Sequence, residues 1–295
     1  INYIQNSRLK MSFNVTALPS ANFGGLVTAP MNAADIVSAA EAGPGALPRF
    51  LDQFGGFLLI KGMNGLEDEP ELLLRLSQIF GTEVESYHET RMAQQNVHPE
   101  IPEILMVSNI PPADRKPPPQ PDPPRNADGS LPTQFPHRRG WHTDQSYRRP
   151  PPDISLFFSV VAAPKGQAQT LYANGIAAYD GLSSEMKTRV NSLVGIHAKP
   201  GVGRGEVAVR AGEAPIELGP GDQPQRQPVV RVHPETGAKS LYLCEAGQMD
   251  WIDGPFVDME PGPDGEGAKL LYKLMAHYTK SEFVYAHAWH RGDLV

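Results

Sequence analysis

The sequence predicts a mainly β fold, a β-sandwich or jelly roll with a few helices packed outside it. Three observations lead there. Short apolar segments are separated by glycine and proline turns, as in sandwich and jelly-roll chains. Strict strand–helix alternation is missing, and so is a glycine-rich phosphate loop, which disfavours a doubly wound nucleotide-binding enzyme. No internal repeat is visible, which removes the solenoids. With 295 residues, 40% of them hydrophobic and 20% charged, the chain can bury a continuous core and is neither disordered nor fibrous.

Residues 32–42 and 46–54 read as helices that end at glycine stops. Gly55-Gly56-Phe57-Leu58-Leu59-Ile60 follows as a buried strand. Residues 69–80, with leucines at 72, 73, 74 and 76 and Gly81 behind them, form the next helix. A short apolar strand is expected over 104–109. Residues 153–162, rich in Ile, Leu, Phe and Val, read as an interior strand. A strand over 170–173 and a long helix over 175–194 come next, the latter with Ile176, Tyr179, Leu182, Met186 and Val190 on one side. Residues 228–233 and 240–243 flank Pro-Glu-Thr-Gly as a hairpin. An amphipathic helix over 266–279 and a strand over 283–289 come last.

Of 30 prolines, ten fall between Pro111 and Pro136, a density that neither helix nor sheet interior accommodates. This segment is a surface insertion of polyproline character, with a docking site for a proline-binding partner as the alternative. Ile1 to Lys10 read as an upstream extension or vector remnant, and 11–295 as a single domain carrying the insertion at about 111–136. The opening residues lack the apolar core and cleavage site of a secretory signal. No apolar run approaches the roughly 18 to 20 residues of a membrane span. A formal net charge of −7 disfavours a broad nucleic-acid or anionic-membrane surface. The single Cys244 excludes an internal disulfide framework and a cysteine-rich zinc module. A cytoplasmic enzyme is the expectation, and a homo-oligomer is left open.

Chemistry concentrates in Trp141-His142-Thr143-Asp144. Side chains two apart on an extended strand point to one side, so His142 and Asp144 can meet one metal ion. An imidazole and a carboxylate are two of the three ligands of the 2-His-1-carboxylate face, which leaves positions open for cosubstrate and dioxygen on non-haem Fe(II). On spacing alone, an exposed histidine near a turn acid remains the commoner explanation of such a pair.

Downstream stand DISLFFSVVAAPKGQAQTLYANGIAAYDGLS, PVVRVHPETGAKSLYLCE, HYTKSEF and FVYAHAWHRGDLV. In this order and spacing they resemble the taurine dioxygenase family, the Fe(II)- and 2-oxoglutarate-dependent dioxygenases that include 2,4-dichlorophenoxyacetate dioxygenase. The resemblance runs from about Gly55 to Val295, and its most specific pieces are WHTD, TLYANGIAAYDGLS and VVRVHPETGAKSLYL. It implies a double-stranded β-helix, with Fe(II) held by His142 and Asp144, and Thr170 binding a carboxylate of 2-oxoglutarate. His233 corresponds to a structural hairpin position without a metal role.

In relatives a distal histidine and an arginine for the cosubstrate follow the FVYAHAWHRGDLV strand. The third ligand is therefore expected beyond Val295, and the β-helix is expected to lack its last strands within residues 11–295. His287 and His290 are the substitutes this chain offers, but the matching strand of relatives carries no ligand. The retained Asp144 favours hydroxylation over halogenation, because related halogenases replace that carboxylate with a small residue.

The resemblance thus implies hydroxylation of a small, anionic organic substrate, with dioxygen consumed and succinate and CO2 released. A degenerate, non-catalytic β-sandwich binding protein is the first alternative, and a hydrolase with Zn(II) on His142 and Asp144 the second. Substrate recognition is assigned to Tyr87, His88 and Asn109, which border the pocket in relatives. Arg138, Arg139, Arg148 and Arg149 bracket the metal tetrapeptide and suit carboxylate or sulfonate groups, or are solvated loop charges. Residues 201–227, rich in glycine, proline and charge, are a candidate lid.

Overall fold

The computed structural model describes residues 13–19, 21–28, 32–87, 96–107, 141–199, 204–244 and 249–295. The proline-rich insertion lies outside them. The chain forms two compact units; Leu156–Ala168 and Ala288–Val295 join the N-terminal part in the first, and Gln169–His287 forms most of the second.

In the first unit, β1 (Asn14–Ala17) pairs antiparallel with β2 (Gly25–Thr28), and β2 pairs parallel with β3 (Leu58–Ile60). A parallel pair needs a crossover, supplied by α1 (Ala33–Ala42) and α2 (Ala46–Gln53). Asn32 starts α1 by accepting the Asp35 N–H on its side chain at 2.9 Å, which satisfies a donor the helix itself leaves open. The third helix, α3 (Glu71–Ser77), turns Leu72 and Leu76 inward. These join Val27, Ile36, Val37, Leu47, Ile60, Met63 and Leu294 in one core. The parallel β2–β3 pair was not anticipated, because neither strand carries a mark of direction.

Two strand expectations in this unit need correction. Over 104–109 only Leu105 pairs, in an isolated bridge to Val97, and 108–109 lie outside the described residues. The apolar run expected as an interior strand is not one. Phe158 makes a single antiparallel bridge to Leu294, and Phe157 exchanges hydrogen bonds with Val295. Val160 and Val161 are 46% and 87% exposed. Composition reports how apolar such a run is, but the neighbours that would cover both faces come from elsewhere in the chain.

In the second unit, β4 (Thr170–Ala173) leads into α4 (Gly175–Asp180) and α5 (Ser184–Asn191). The single helix expected over 175–194 is thus two. The Ser183 hydroxyl accepts the Met186 N–H and starts a new helix after Gly181. β5 (Val194–His197) and α6 (Glu206–Arg210) follow. β6 (Gln225–Pro228) pairs antiparallel with β5, so the candidate lid includes a sheet strand and a helix. Its glycine and proline content masked both. β7 (Val230–Val232) and β8 (Lys239–Leu241) form the expected hairpin. α7 (Glu266–Tyr278) buries Leu270, Leu271 and Leu274 against Ala178, Tyr179, Trp251 and Phe256. β9 (Val284–His287) returns to pair antiparallel with β4. No helix among the described residues is long and apolar enough to cross a membrane.

Candidate metal site

His142 and Asp144 lie in the second unit, at the entry to a turn rather than on the expected strand. They nevertheless converge. His142 Nε2 and Asp144 Oδ1 stand 3.0 Å apart, with side chains 47% and 68% exposed. What brings them together is the turn: Arg148 N–H donates to Gln145 O at 2.9 Å, and Gln145 takes a positive φ of 51°. The His142 ring bonded to it holds the Asp144 carboxyl below the usual carboxylate range, while burial opposes the shift.

The donor spacing fits a metal. Two cis ligands about 2.1 Å from one octahedral first-row ion stand about 3 Å apart, so an ion could replace the shared proton with little movement. Among the described residues no group of three histidine, cysteine, aspartate or glutamate side chains is gathered within reach of one ion. The described residues therefore supply an imidazole and a carboxylate.

Thr170 opens β4 and pairs directly with His287 on β9, and Tyr172 pairs with Tyr285. Directly opposed residues share a sheet face, as do residues two apart, so these four side chains line one face. Tyr285 OH and His287 Nδ1 are 3.1 Å apart, and His287 is buried. Burial drives the Tyr172 phenol well above its usual range, the negative Asp144 carboxylate adds to this, and a Thr170 hydrogen bond opposes it. Tyr172 thus links Thr170's face to the His142–Asp144 turn electrostatically.

Tyr87 lies in the first unit, its N–H donating to Pro102 O at 2.7 Å. His88, Asn109, Arg138 and Arg139 lie outside the described residues. His233 serves the β7–β8 turn, Nδ1 accepting the Glu235 and Thr236 N–H groups at 3.3 and 3.2 Å. Nothing in the local sequence singles out Tyr172 and Tyr285, and His287 stands out there only as a candidate ligand. The i, i+2 spacing in Thr170/Tyr172 and Tyr285/His287 was readable, but not the pairing of β4 with β9.

Known proteins are similar to this chain in sequence and in fold. The family model described as taurine catabolism dioxygenase TauD, TfdA family matches residues 30–295. Pentalenolactone F synthase of Streptomyces arenae is 30% identical over 206 residues, covering 67% of this chain and 61% of that protein. The alpha-ketoglutarate-dependent 2,4-dichlorophenoxyacetate dioxygenase of Cupriavidus pinatubonensis is 30% identical over 52% of this chain and 50% of its own. The chain thus spans between half and two thirds of the length of these relatives. Among solved structures, AAD-2 in complex with Mn(II) and N-oxalylglycine aligns over 96% of this chain and 88% of its own, with a TM-score of 0.66 and 24% identity. A taurine dioxygenase from Burkholderia xenovorans aligns over 96% and 79%, with a TM-score of 0.60 and 22% identity. At these identities the two structures establish the fold alone, and the family match over residues 30–295 establishes the rest: this chain belongs to the TauD/TfdA family of alpha-ketoglutarate-dependent dioxygenases.

Proposed function

We propose that this protein is an Fe(II)- and 2-oxoglutarate-dependent dioxygenase that hydroxylates a small anionic organic substrate on a double-stranded β-helix scaffold, releasing succinate and CO2. The observation that carries the reading is the convergence of His142 Nε2 and Asp144 Oδ1 to 3.0 Å in a chain of this family. Bound Fe(II) supplies the redox chemistry with dioxygen and a 2-oxo acid that side chains cannot.

The protein's own part is binding and orientation. His142 offers a neutral imidazole nitrogen, and Asp144 offers the anionic oxygen that favours a divalent ion. Thr170 presents a hydroxyl donor to a carboxylate of the 2-oxo acid. Tyr172, held as the neutral phenol, stands beside Thr170 as a second hydroxyl on the same face. Relatives act on an aryloxyacetate and, in Saccharomyces cerevisiae, a sulfonate. Both are anions, which supports an anionic substrate here.

The test is anaerobic addition of Fe(II) and 2-oxoglutarate to the full-length protein, followed by oxygen and a panel of sulfonates, sulfate esters and aryloxy acids. A weak visible absorption band needing both additions is expected, then substrate-dependent succinate. Absence of the band and of succinate with every panel member would defeat the proposal.

A further inference from the structure

A side chain from a distant strand, Gln227, grips the turn that follows Asp144. Its Nε2 donates to two backbone carbonyls, Ser146 O at 3.1 Å and Arg148 O at 2.9 Å. An amide nitrogen carries two protons, so one serves each carbonyl, and two acceptors fix which end of the amide points at the turn. Gln227 is 8% exposed and Ser146 6%, so water replaces these bonds poorly.

The base of the fork is rigid. Gln227 lies on β6 opposite Gly195 of β5. Two residues on, Val229 donates to Leu193 O at 3.1 Å and accepts from Tyr242 N–H at 2.7 Å, so the chain just past the fork is tied to a neighbour on each side. What the fork grips is not intrinsically stable. Gln145, the residue directly after Asp144, sits at φ 51°, a left-handed conformation that a non-glycine residue keeps only where its surroundings over-determine it. Released, the turn would relax toward ordinary backbone angles and carry the Asp144 carboxylate with it.

We propose that Gln227 is a positioning residue for the metal site, clamping the 145–148 turn so that Asp144 and His142 keep the spacing at which both reach one ion. The inference rests on the reading of His142 and Asp144 as metal ligands, and the experiment separates the two. Gln227→Met keeps the side chain's length and removes both donors. Gln227→Glu keeps its shape and can serve at most one carbonyl. With Asp144→Ala and the parent, each is prepared metal-free as full-length protein and titrated with Mn(II) alone, free ion being read by electron paramagnetic resonance. Every titration is run well below that protein's own melting midpoint, so that only folded molecules are counted.

A structural role for Gln227 would lower the midpoint and leave the Mn(II) affinity of folded molecules unchanged. A positioning role weakens that affinity in folded protein by about 10- to 100-fold, the usual cost of losing a group that orients a ligand. The expected result is such a loss in both Gln227 variants and a larger one in Asp144→Ala. Parental Mn(II) affinity in folded Gln227→Met, with Asp144→Ala impaired, overturns the inference and leaves the metal reading standing. Parental affinity in Asp144→Ala, or no Mn(II) binding by the parent, defeats the metal reading and the inference with it. If neither Gln227 variant folds, Gln227 is a determinant of the fold, and the inference is overturned.

Discussion

At the scale of the residue, two histidines, each two positions before an acid, do different work. His142 Nε2 faces Asp144 Oδ1, whereas His233 Nδ1 is spent on the Glu235 and Thr236 amides of its own turn. Breaking the two arrangements should therefore have different consequences. Asp144→Ala is expected to abolish succinate formation and weaken Fe(II) binding at least tenfold, because it deletes the anionic donor. His233→Ala is expected to keep parental iron binding and lose about 1 kcal/mol of stability, the ordinary worth of such hydrogen bonds. Fe(II) titration, a succinate assay and thermal melts on both variants test the pair. Near-parental turnover in Asp144→Ala, with loss in His233→Ala, would mean that the metal face has been assigned to the wrong residues.

At the scale of the element, β4 and α4 join the site to the core of the second unit. Thr170 and Tyr172 are carried on β4, and Asn174 closes the strand by accepting the Ile176 and Ala177 N–H groups at 3.0 and 3.1 Å, starting α4. Gly175 is the first residue of that helix and leaves no room for a side chain. A Cβ there would meet Ser240 Oγ, would lie 2.7 Å from Tyr278 OH and would lie 3.0 Å from Leu241 O. Leu241 O is backbone in β8, so the strain cannot be relieved by a rotamer change. Gly175→Ala is accordingly expected to cost about 1–3 kcal/mol, as overpacking usually does. Asn174→Ala should cost about 1 kcal/mol through the lost cap. Denaturant unfolding of the two variants checks both the size and the order, and a Gly175→Ala protein as stable as its parent would show that α4 can move off β8.

At the scale of the whole molecule, stability should be sensitive to acid, and His197 supplies a reason. It is 1% exposed on β5 and stacked on Tyr242, with ring centroids 5.3 Å apart. Burial pushes its imidazole down to about 4. The folded pKa lies below the unfolded one, so the unfolded chain binds the proton first. The associated stability is fully present above about pH 6.5 and is lost as pH falls toward 4, on the order of 3 kcal/mol in all. His197→Phe, which keeps a ring on Tyr242 and cannot be protonated, is expected to flatten the fall between pH 6.5 and 4 while leaving stability at pH 8 within about 1 kcal/mol of the parent. Melts across that range decide it. An unchanged pH profile in the variant would place the acid sensitivity elsewhere, among the carboxylates.

Local signals in the sequence determined much of this protein. The leucines of α3 and α7, the Gly43 stop of α1 and the Pro-Glu-Thr-Gly turn are set by neighbours within a few residues and appear in the structure, whereas α3 ends at Ser77, short of the expected stop at Gly81. The HxD pair also converges as its residue types suggested, although on a turn instead of a strand. What needed tertiary structure was every statement about partners far along the chain. The parallel β2–β3 pair, the β4–β9 pairing that sets Tyr285 and His287 opposite Tyr172 and Thr170, and the reach of Gln227 to Ser146 and Arg148 are of this kind. The reason is physical. Helix periodicity and turn chemistry act over one or two turns of chain, whereas strand pairing and buried polar contacts are chosen by the folded core, which brings together groups that no local pattern relates.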